Sequence, residues 1–313
     1  MGYWQEREKN HIKENIANDE QLKYQITIRY HYMLRKIEEE INDFYARYAN
    51  SEGISIGEAK KRADAMDVEA FAKQAKEYVK NKDFSDKANR ELKLYNLKMK
   101  INRLELLKAK INLELAEFFQ DLDNWYKSEL GKEYIAEYDR QSGILGESIK
   151  HKQKRAEQAV KGSYKNATYS ERIWLYQEKL RTELQRLILQ GLIKGMSPKL
   201  LARELRKVFD VSRYDVERLL VTEMARVQTE AQKDAYREYG YDEYEFIAES
   251  EACPYCREIN GKIFKTEKMD IGENAAPMHP WCRCSTAAYK EREDDDNSLD
   301  NEKTVLSNDG IKG

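Results

Sequence analysis

Four cysteines and one histidine near the carboxyl-terminal end of the sequence are the residues whose types and spacing could do chemistry. The 313-residue chain has only four cysteines, and together with the histidine they form the pattern Cys-x2-Cys, then 22 residues, then His-x2-Cys-x-Cys. Two ligand-bearing turns separated by a spacer of this size are typical of tetrahedral zinc sites. The candidate metal ligands are Cys253, Cys256, His279, Cys282 and Cys284.

The number of candidate ligands determines what kind of site this would be. Five side chains compete for the four positions around zinc, so the spacing leaves open whether Cys282 or Cys284 is the fourth ligand. When protein side chains fill all four positions, none remains for water or substrate. We therefore expect a structural zinc that stabilises a small β-region.

Other interpretations of the cysteines were weighed against metal. The thiols could be reduced and without metal, or the two pairs could form a disulfide after release from the cell. The Cys-Pro-Tyr-Cys spacing also occurs in thioredoxin-like redox motifs, but the βαβ context of those motifs is missing. A zinc deaminase needs a His-x-Glu before its Pro-Cys-x-x-Cys, and no histidine lies between His151 and Cys253.

The composition favours long helices in a reducing compartment. Charged residues make up 36% of the chain and hydrophobic residues 41%, which fits helices with narrow buried stripes and wide solvated faces. No run of 18 apolar residues predicts a membrane span, and the start lacks the apolar segment of a secretory signal. Clustered cysteines then favour metal over disulfide. Residues 291–313 hold eight acids and three bases, which leaves a net charge of +3 on the rest.

Hydrophobic periodicity predicts an elongated helical arm over residues 1–160. Helices are predicted over 20–49, after the capping box at Ser55–Glu58, and from about 86 to 129, where nine of ten heptad core positions are apolar. The stripe of the first helix is Tyr30, Leu34, Ile37, Ile41, Phe44 and Tyr48, and that of the longest is Leu94, Leu97, Ile101, Leu104, Ile111, Leu115, Phe118, Leu122 and Trp125. The less regular residues 139–170 are interpreted as a linker.

The region 161–290 is predicted to be helical first and then β. A helix covers 170–190, another begins at Ser197 and Pro198, and a third, capped by Ser212, ends at Gly240. Alternating stretches after Gly240 predict two or three short strands around the cysteines. The expected fold class is mainly α, with an elongated amino-terminal arm, a helical middle, a small zinc-braced α+β module and a disordered acidic tail over 291–313.

Several of these residues resemble a known family. The Thr222-Glu223 pair on a helix, the Cys253/Cys256 pair, Gly261 with Phe264, and the His279-Pro280…Cys282-Arg283-Cys284 signature resemble the phage Mu protein F-like domain of phage head morphogenesis proteins, over about 195–290. The amino-terminal half is similar to minor capsid proteins of phages and prophages of Gram-positive bacteria, without a sharp motif.

The resemblance implies a structural, non-enzymatic component of the virion, made in the host cytoplasm and present in the phage head. Its expected partners are the portal protein and other head proteins, in an oligomeric particle and without a membrane. It would act at the portal in head assembly and in DNA packaging or ejection.

Two other functions compete with the structural one. A metal-dependent hydrolase or nuclease could use Thr222 and Glu223, although we favour a salt bridge from Glu223 to Arg226 or Arg283. A DNA-binding packaging factor could use a helix-turn-helix-like segment with weak, salt-sensitive contacts. Its basic residues are Lys199, Arg203, Arg206, Lys207, Arg213 and Arg218.

Overall fold

The computed structural model describes residues 3–48, 103–145, 152–194 and 196–290 of the chain. This part of the chain is mainly helical, with six α-helices and a small group of strands at its carboxyl-terminal end. The helices are α1 (Tyr3–Tyr48), α2 (Arg103–Leu145), α3 (Lys152–Val160), α4 (Tyr169–Ile193), α5 (Pro198–Glu238) and α6 (Pro254–Glu258). The strands are β1 (Ser163–Tyr164), β2 (Ala167–Thr168), β3 (Glu243–Ile247), β4 (Ile263–Lys265) and β5 (Ser285–Tyr289).

Helices from both halves of the sequence share one apolar core. Helix α5 contacts α1, α2, α3 and α4. The buried core runs without interruption from α1 through α2 and α4 to α5, for example through Ile26, Leu115, Leu184 and Val227. Burying each such side chain stabilises the fold by about 1.5–3 kcal/mol. The division into domains at residue 160 remains a prediction. In the structure, the helices before and after this residue pack against each other.

The two long amino-terminal helices α1 and α2 confirm the helices predicted from hydrophobic periodicity. Helix α1 begins much earlier than the predicted residue 20, and it buries Tyr30, Ile37 and Ile41. Helix α2 buries Ile111, Leu115 and Leu122 of the predicted stripe, whereas Phe118 and Trp125 are only partly buried. Their neighbours Phe119 and Tyr126 are fully buried instead, so the buried stripe drifts away from a strict heptad.

The predicted linker over 139–170 is wrong for the residues that the structure describes. Helix α2 continues to Leu145, α3 follows from Lys152, and β1 and β2 form an antiparallel hairpin. Lys165 and Asn166 at its tip have positive φ angles, as a tight two-residue turn requires. Ala156, Val160 and Tyr164 are buried, so this segment packs against its neighbours.

The predicted break at Ser212 is also wrong. Ser197 caps α5 through a hydrogen bond from the Leu200 amide, and Pro198 occupies its first turn, as predicted. The helix then continues without a break to Glu238 and is 41 residues long in all. Ser212 lies inside it, and its hydroxyl lies 2.9 Å from the hydroxyl of Tyr30 in the core. A continuous helix has no turn between two halves, so the helix-turn-helix interpretation fails.

The predicted strands after Gly240 are confirmed. β3 lies between β4 and β5 in an antiparallel sheet, with Tyr244 opposite Phe264 and Ala288. Gly261 has a φ of +79° in the turn before β4, a conformation that glycine adopts at little cost. A small separate core of Phe246, Met278 and the buried cysteines lies beside this sheet. We call residues 243–290 the carboxyl-terminal module.

Some predictions fall outside the described residues. These are the capping box at Ser55–Glu58 and the helix after it, residues 86–102 of the helix predicted over 86–129, and the acidic segment 291–313. Within the described ranges, none of the helices combines the length and the apolar character that crossing a membrane requires.

Candidate metal centre

The first pair of cysteines lies at the start of the short helix α6. Cys253 is the amino-terminal cap of this helix, Pro254 follows it, and the Cys256 amide donates to the Cys253 sulfur at 3.5 Å. This amide and the proximity of His279 lower the pKa of the Cys253 thiol against a small opposing effect of burial. The turn thus places two sulfurs on the same side of the chain, one of them favoured as thiolate.

His279 brings the second segment to this pair. Its Nε2 atom lies 3.3 Å from the Cys253 sulfur and 3.6 Å from the Cys256 sulfur. Its Nδ1 atom lies 2.8 Å from the Pro280 carbonyl oxygen, which can only accept a hydrogen bond. Nδ1 therefore carries a proton, and Nε2 is the ring nitrogen that faces the two sulfurs. This hydrogen bond fixes the tautomer as carbonyl partners do for histidines that bind metal.

Cys282 and Cys284 complete a second group around the same buried sulfur. The ligand atoms of Cys253, Cys256 and His279 lie within 4.8 Å of one another, and those of Cys256, Cys282 and Cys284 do so as well. Hydrogen bonds from Cys256 and Cys284 lower the pKa of Cys282 far below that of a free thiol. Hydrogen bonding to Cys282, then burial and the negative charge on Cys282, raise the pKa of Cys256 and of Cys284.

The structure brings all five predicted ligands together. Three buried thiols, a fourth that is partly exposed, and one imidazole form two groups of three that share Cys256. The set is soft and mixed in sulfur and nitrogen, which matches the donors of structural zinc rather than those of magnesium or calcium. Because the two groups share Cys256, these residues could hold a metal ion. The structure leaves open whether Cys282 or Cys284 would be the fourth ligand.

Helix α5 holds the turn between His279 and Cys282. Trp281 has a φ of +67°, a left-handed conformation that is unusual for a bulky residue. Its amide donates to the Thr222 hydroxyl at 3.3 Å, and that hydroxyl donates to the Arg218 carbonyl at 2.7 Å. Thr222 therefore acts as a positioning residue that ties the second ligand segment to the helical body.

Glu223 has a structural partner, as predicted. Its side chain is fully buried and accepts a hydrogen bond from Arg226 Nε at 2.6 Å. Arg226 also donates to the Ala159 carbonyl at 2.8 Å, and a Cβ at Gly162 would lie 2.7 Å from its guanidinium. Burial raises the pKa of Glu223, and Arg226 opposes this effect. The alternative partner Arg283 pairs elsewhere.

Arg283, which lies between the last two cysteines, ties the module to α1. Its guanidinium donates to both carboxylate oxygens of Asp19, with Nε at 2.6 Å, and to Gln228 at 3.1 Å. Both members of the ion pair are buried. Charge-assisted, bidentate pairs of this kind are strong and specific in orientation. The arginine of the sequence signature thus fixes the ligand segment to a helix more than 260 positions away.

A second buried polar network joins the module to three helices. Ser285 of β5 donates to Glu8 of α1 at 2.7 Å, and Arg140 of α2 donates to Glu8 at 2.8 Å and to Glu137 at 2.7 Å. Gln232 of α5 donates to Glu137 at 2.9 Å. Burial would disfavour the charge on Glu137, but Arg140 and a histidine on α1 outweigh it and lower its pKa.

A comparison with known protein families finds a match in the same region of the chain. Residues 182–287, from the middle of α4 to β5, match the family described as Phage Mu protein F like protein. The chain carries a phage Mu protein F-like domain. No curated protein and no solved structure matches the chain.

The Mu F-like domain contains every ligand of the candidate metal centre and most of α5. Its family is a structural family of head morphogenesis, and the domain supports a phage head-associated structural protein. The origin in a Gram-positive host remains a prediction.

Sequence reasoning identified the candidate ligands that the structure brings together, and it missed most of the residues that support them. Thr222 was noted as part of the Mu F-like signature but not as the acceptor of the Trp281 amide. Asp19 and Glu8 lie on an amphipathic helix far from the cysteines, and a single sequence carries no signal for such long-range polar pairs. The one residue in the sequence that could have indicated such a contact was Arg283, which lies within the Mu F-like signature.

Proposed function

We propose that the protein is a non-enzymatic minor head protein that docks on the portal and acts in head assembly and in DNA packaging or ejection. The Mu F-like domain carries this proposal, because its family is structural and belongs to phage heads. The long helices α1, α2 and α5 support it, since they offer the extended surface that assembly contacts use. In the particle the protein is oligomeric and contacts the portal and other head proteins.

The ligand set supports a structural role for a zinc ion. Zinc would be held by Cys253, Cys256, His279 and either Cys282 or Cys284. The ion would join the start of α6 to the segment before β5, and it would supply the binding energy that a small module needs in order to fold. A site filled by four side chains has no free position for substrate, which agrees with a non-enzymatic role.

Elemental analysis tests the zinc. The full chain purified without chelator should contain about one zinc per chain, as structural sites do. Cys282→Ser and Cys284→Ser, measured side by side, should separate the fourth ligand from the spare cysteine, because only the ligand variant loses most of its zinc. Free thiols with less than about a tenth of one equivalent of zinc would contradict the site.

The burial of Glu223 argues against a hydrolase or nuclease at Thr222 and Glu223. Glu223 is fully buried and bonded to Arg226, and Thr222 is engaged with Trp281 and Arg218. Neither side chain reaches solvent where a substrate could bind. Weak DNA contact remains part of the proposal, although several bases of α5 are already paired: Arg203 and Lys207 with Glu204, Arg206 with Glu38, Arg213 with Glu217, and Arg218 with Asp215.

A phage or prophage that lacks the gene tests the function. Heads should form, but particles that deliver DNA should become rare, and wild-type protein supplied in trans should restore them. In the complemented strain the protein should co-purify with portal from assembled heads. Normal infectivity of the deletion, together with cleavage of DNA or peptide by the purified protein, would support the enzyme instead.

A further inference from the structure

Helix α1 exposes three large apolar side chains in a regular row. Tyr24, Ile28 and Tyr32 are 66%, 51% and 53% exposed, and a spacing of four places them along one side of a helix. Large exposed apolar residues on the other described elements, such as Leu175 and Val211, do not recur at this spacing. We call Tyr24, Ile28 and Tyr32 the outer face of α1.

The opposite side of the same turns is fixed in the core. Ile26, Tyr30 and Met33 are at most 2% exposed and lie in the main apolar core. Tyr30 also packs edge-on against Phe118 at a ring distance of 5.0 Å. The helix therefore cannot rotate to bury its outer face, and it presents that face as a rigid, preformed surface.

The stretch of α1 that carries the outer face is basic. Residues 21–37 contain Lys23, Arg29, Arg35 and Lys36 and no acidic residue. Arg29 lies over the ring of Trp125 at 4.7 Å, and Arg35 lies over the ring of Tyr32 at 5.8 Å. A guanidinium that stacks on a ring keeps its N–H edge available for carboxylates.

Part of this charge is already neutralised. Lys23 pairs with Glu20, and Lys36 pairs with Glu114 at 2.9 Å. Arg29 and Arg35 form no ion pair within the described part of the chain, so the excess positive charge is concentrated on these two. Both border the apolar row, one before and one after Tyr32.

We propose that the outer face of α1 binds an acidic amphipathic helix of another head protein. A helix with apolar residues at a spacing of three and four would cover Tyr24, Ile28 and Tyr32, and its flanking carboxylates would meet Arg29 and Arg35. A second copy of this face would bring like charges together. Nucleic acid would leave the apolar row without a partner and would find two of the four cations already paired.

Two synthetic helical peptides test the charge and the apolar row together. Both carry leucine at positions i, i+4 and i+8; one has glutamate and the other lysine at all flanking positions. Added to the full chain and followed by fluorescence anisotropy, the acidic peptide should bind with a Kd of about 10–100 µM, and the basic peptide at least about tenfold more weakly. Raising the salt concentration should weaken the binding of the acidic peptide.

A matched pair of variants locates the binding. Ile28→Asp should raise the Kd of the acidic peptide by more than about tenfold. Val211→Asp, at an exposed apolar position of α5, should leave its binding unchanged. Both variants should keep the helical circular dichroism and unfolding midpoint of the wild-type chain, because neither residue is buried. The two peptides and the two variants require neither zinc nor portal, so this proposal can fail while the proposed function stands.

Four results would overturn the proposal. The first is equal binding of the two peptides, and the second is binding that Ile28→Asp does not change. The third is self-association or binding of duplex DNA that depends on Ile28 in the absence of acidic-peptide binding. The fourth is peptide binding that appears only after removal of residues 291–313, which would make the acidic segment of this chain the occupant.

Discussion

The helical body and the carboxyl-terminal module reach a stable structure by different means. The body spreads its apolar contacts along helices of 25 to 46 residues, with more than thirty buried side chains in one core. The module has strands of three to five residues and a small core in which three cysteines take part. The body can lose one contact and keep many, whereas the module depends on a few specific ones.

The module is also held from outside, through its polar contacts with the body. Asp19 and Glu8 of α1 bind Arg283 and Ser285, and Gln232 of α5 bonds to Ser285 and Thr286. A buried polar group that loses its partner costs more than the bond itself contributed. The comparison therefore predicts that single polar changes disturb the module while the body stays folded.

Removal of the proposed zinc should give the largest difference between the two regions. Cys256→Ser removes the sulfur that both ligand groups share, and structural zinc contributes about 10–16 kcal/mol in small zinc-binding peptides. Hydrogen exchange should show residues 243–290 losing protection while α2 and α4 keep theirs. A chelator should reproduce the result in the wild-type chain. Loss of protection throughout the body would contradict the separation.

Breaking the ion pair between α1 and the module should have the next largest effect. Asp19→Ala leaves the Arg283 guanidinium buried without its carboxylate, which should destabilise the protein by about 3–5 kcal/mol. Denaturant unfolding measures the loss. Replacing both partners, with Asp19→Leu and Arg283→Met, should recover part of it, and a double variant as unstable as Asp19→Ala alone would show that the charge itself is not the cause.

A truncation in the body should destabilise the protein without changing the metal. Leu115 is fully buried in α2, so Leu115→Ala should cost about 2–5 kcal/mol from lost burial and the cavity that remains. The zinc content should stay that of the wild-type chain, in contrast to Cys256→Ser. Ala116→Gly in the same helix serves as the control for backbone effects, with about 1 kcal/mol expected.

Leu115 and Asp19 show how much the sequence predicts. Leu115 belongs to a stripe that repeats along α2, and a repeating pattern is a local property that one sequence contains. The partner of Asp19 is set by how α1 packs on the module, which depends on the whole chain. The prediction for Ser212 was wrong for the same reason. A serine inside an apolar pattern favours a helix cap, and the sequence does not show that the Tyr30 hydroxyl provides a hydrogen-bond partner for Ser212 in the core.

The candidate metal centre was predictable because its chemistry is concentrated. Four cysteines within 32 positions leave few geometries open, and the structure brings their sulfurs and the imidazole together. The linker over 139–170 was not predictable, since α3 is only nine residues long and the hairpin has two residues in each strand. Such short elements form through tertiary contacts that local periodicity does not reveal.

The polar network under the module should make stability depend on pH. Burial lowers the pKa of His11, but the hydrogen bond and the charge of Glu137 outweigh it and raise the pKa above 6.5. A raised pKa contributes stability that is fully present below the unfolded value of about 6.5 and is lost as the pH rises through the folded value. His11→Gln should therefore cost about 1 kcal/mol at pH 6 and less at pH 9.

Unfolding by denaturant at several pH values measures this difference. His31 is an exposed histidine on the same helix, and His31→Gln serves as the control for a His→Gln change on α1 outside the polar network. A cost of His11→Gln that grows with pH would mean that the neutral histidine is the form bound to Glu137.

The smallest effect should come from the contact that positions the second ligand segment. Thr222→Val keeps the shape of the side chain but removes the acceptor of the Trp281 amide and the bond to the Arg218 carbonyl. The neutral hydrogen bond from the Trp281 amide contributes about 0.5–1.5 kcal/mol, and its loss should fall on the module because Trp281 lies between His279 and Cys282. Competition with a zinc-sensitive dye should show weaker binding in Thr222→Val and near wild-type binding in Thr222→Ser, which keeps the hydroxyl. If both variants lose zinc equally, the methyl group of Thr222 matters more than its hydroxyl, and α5 supports the metal centre by packing alone.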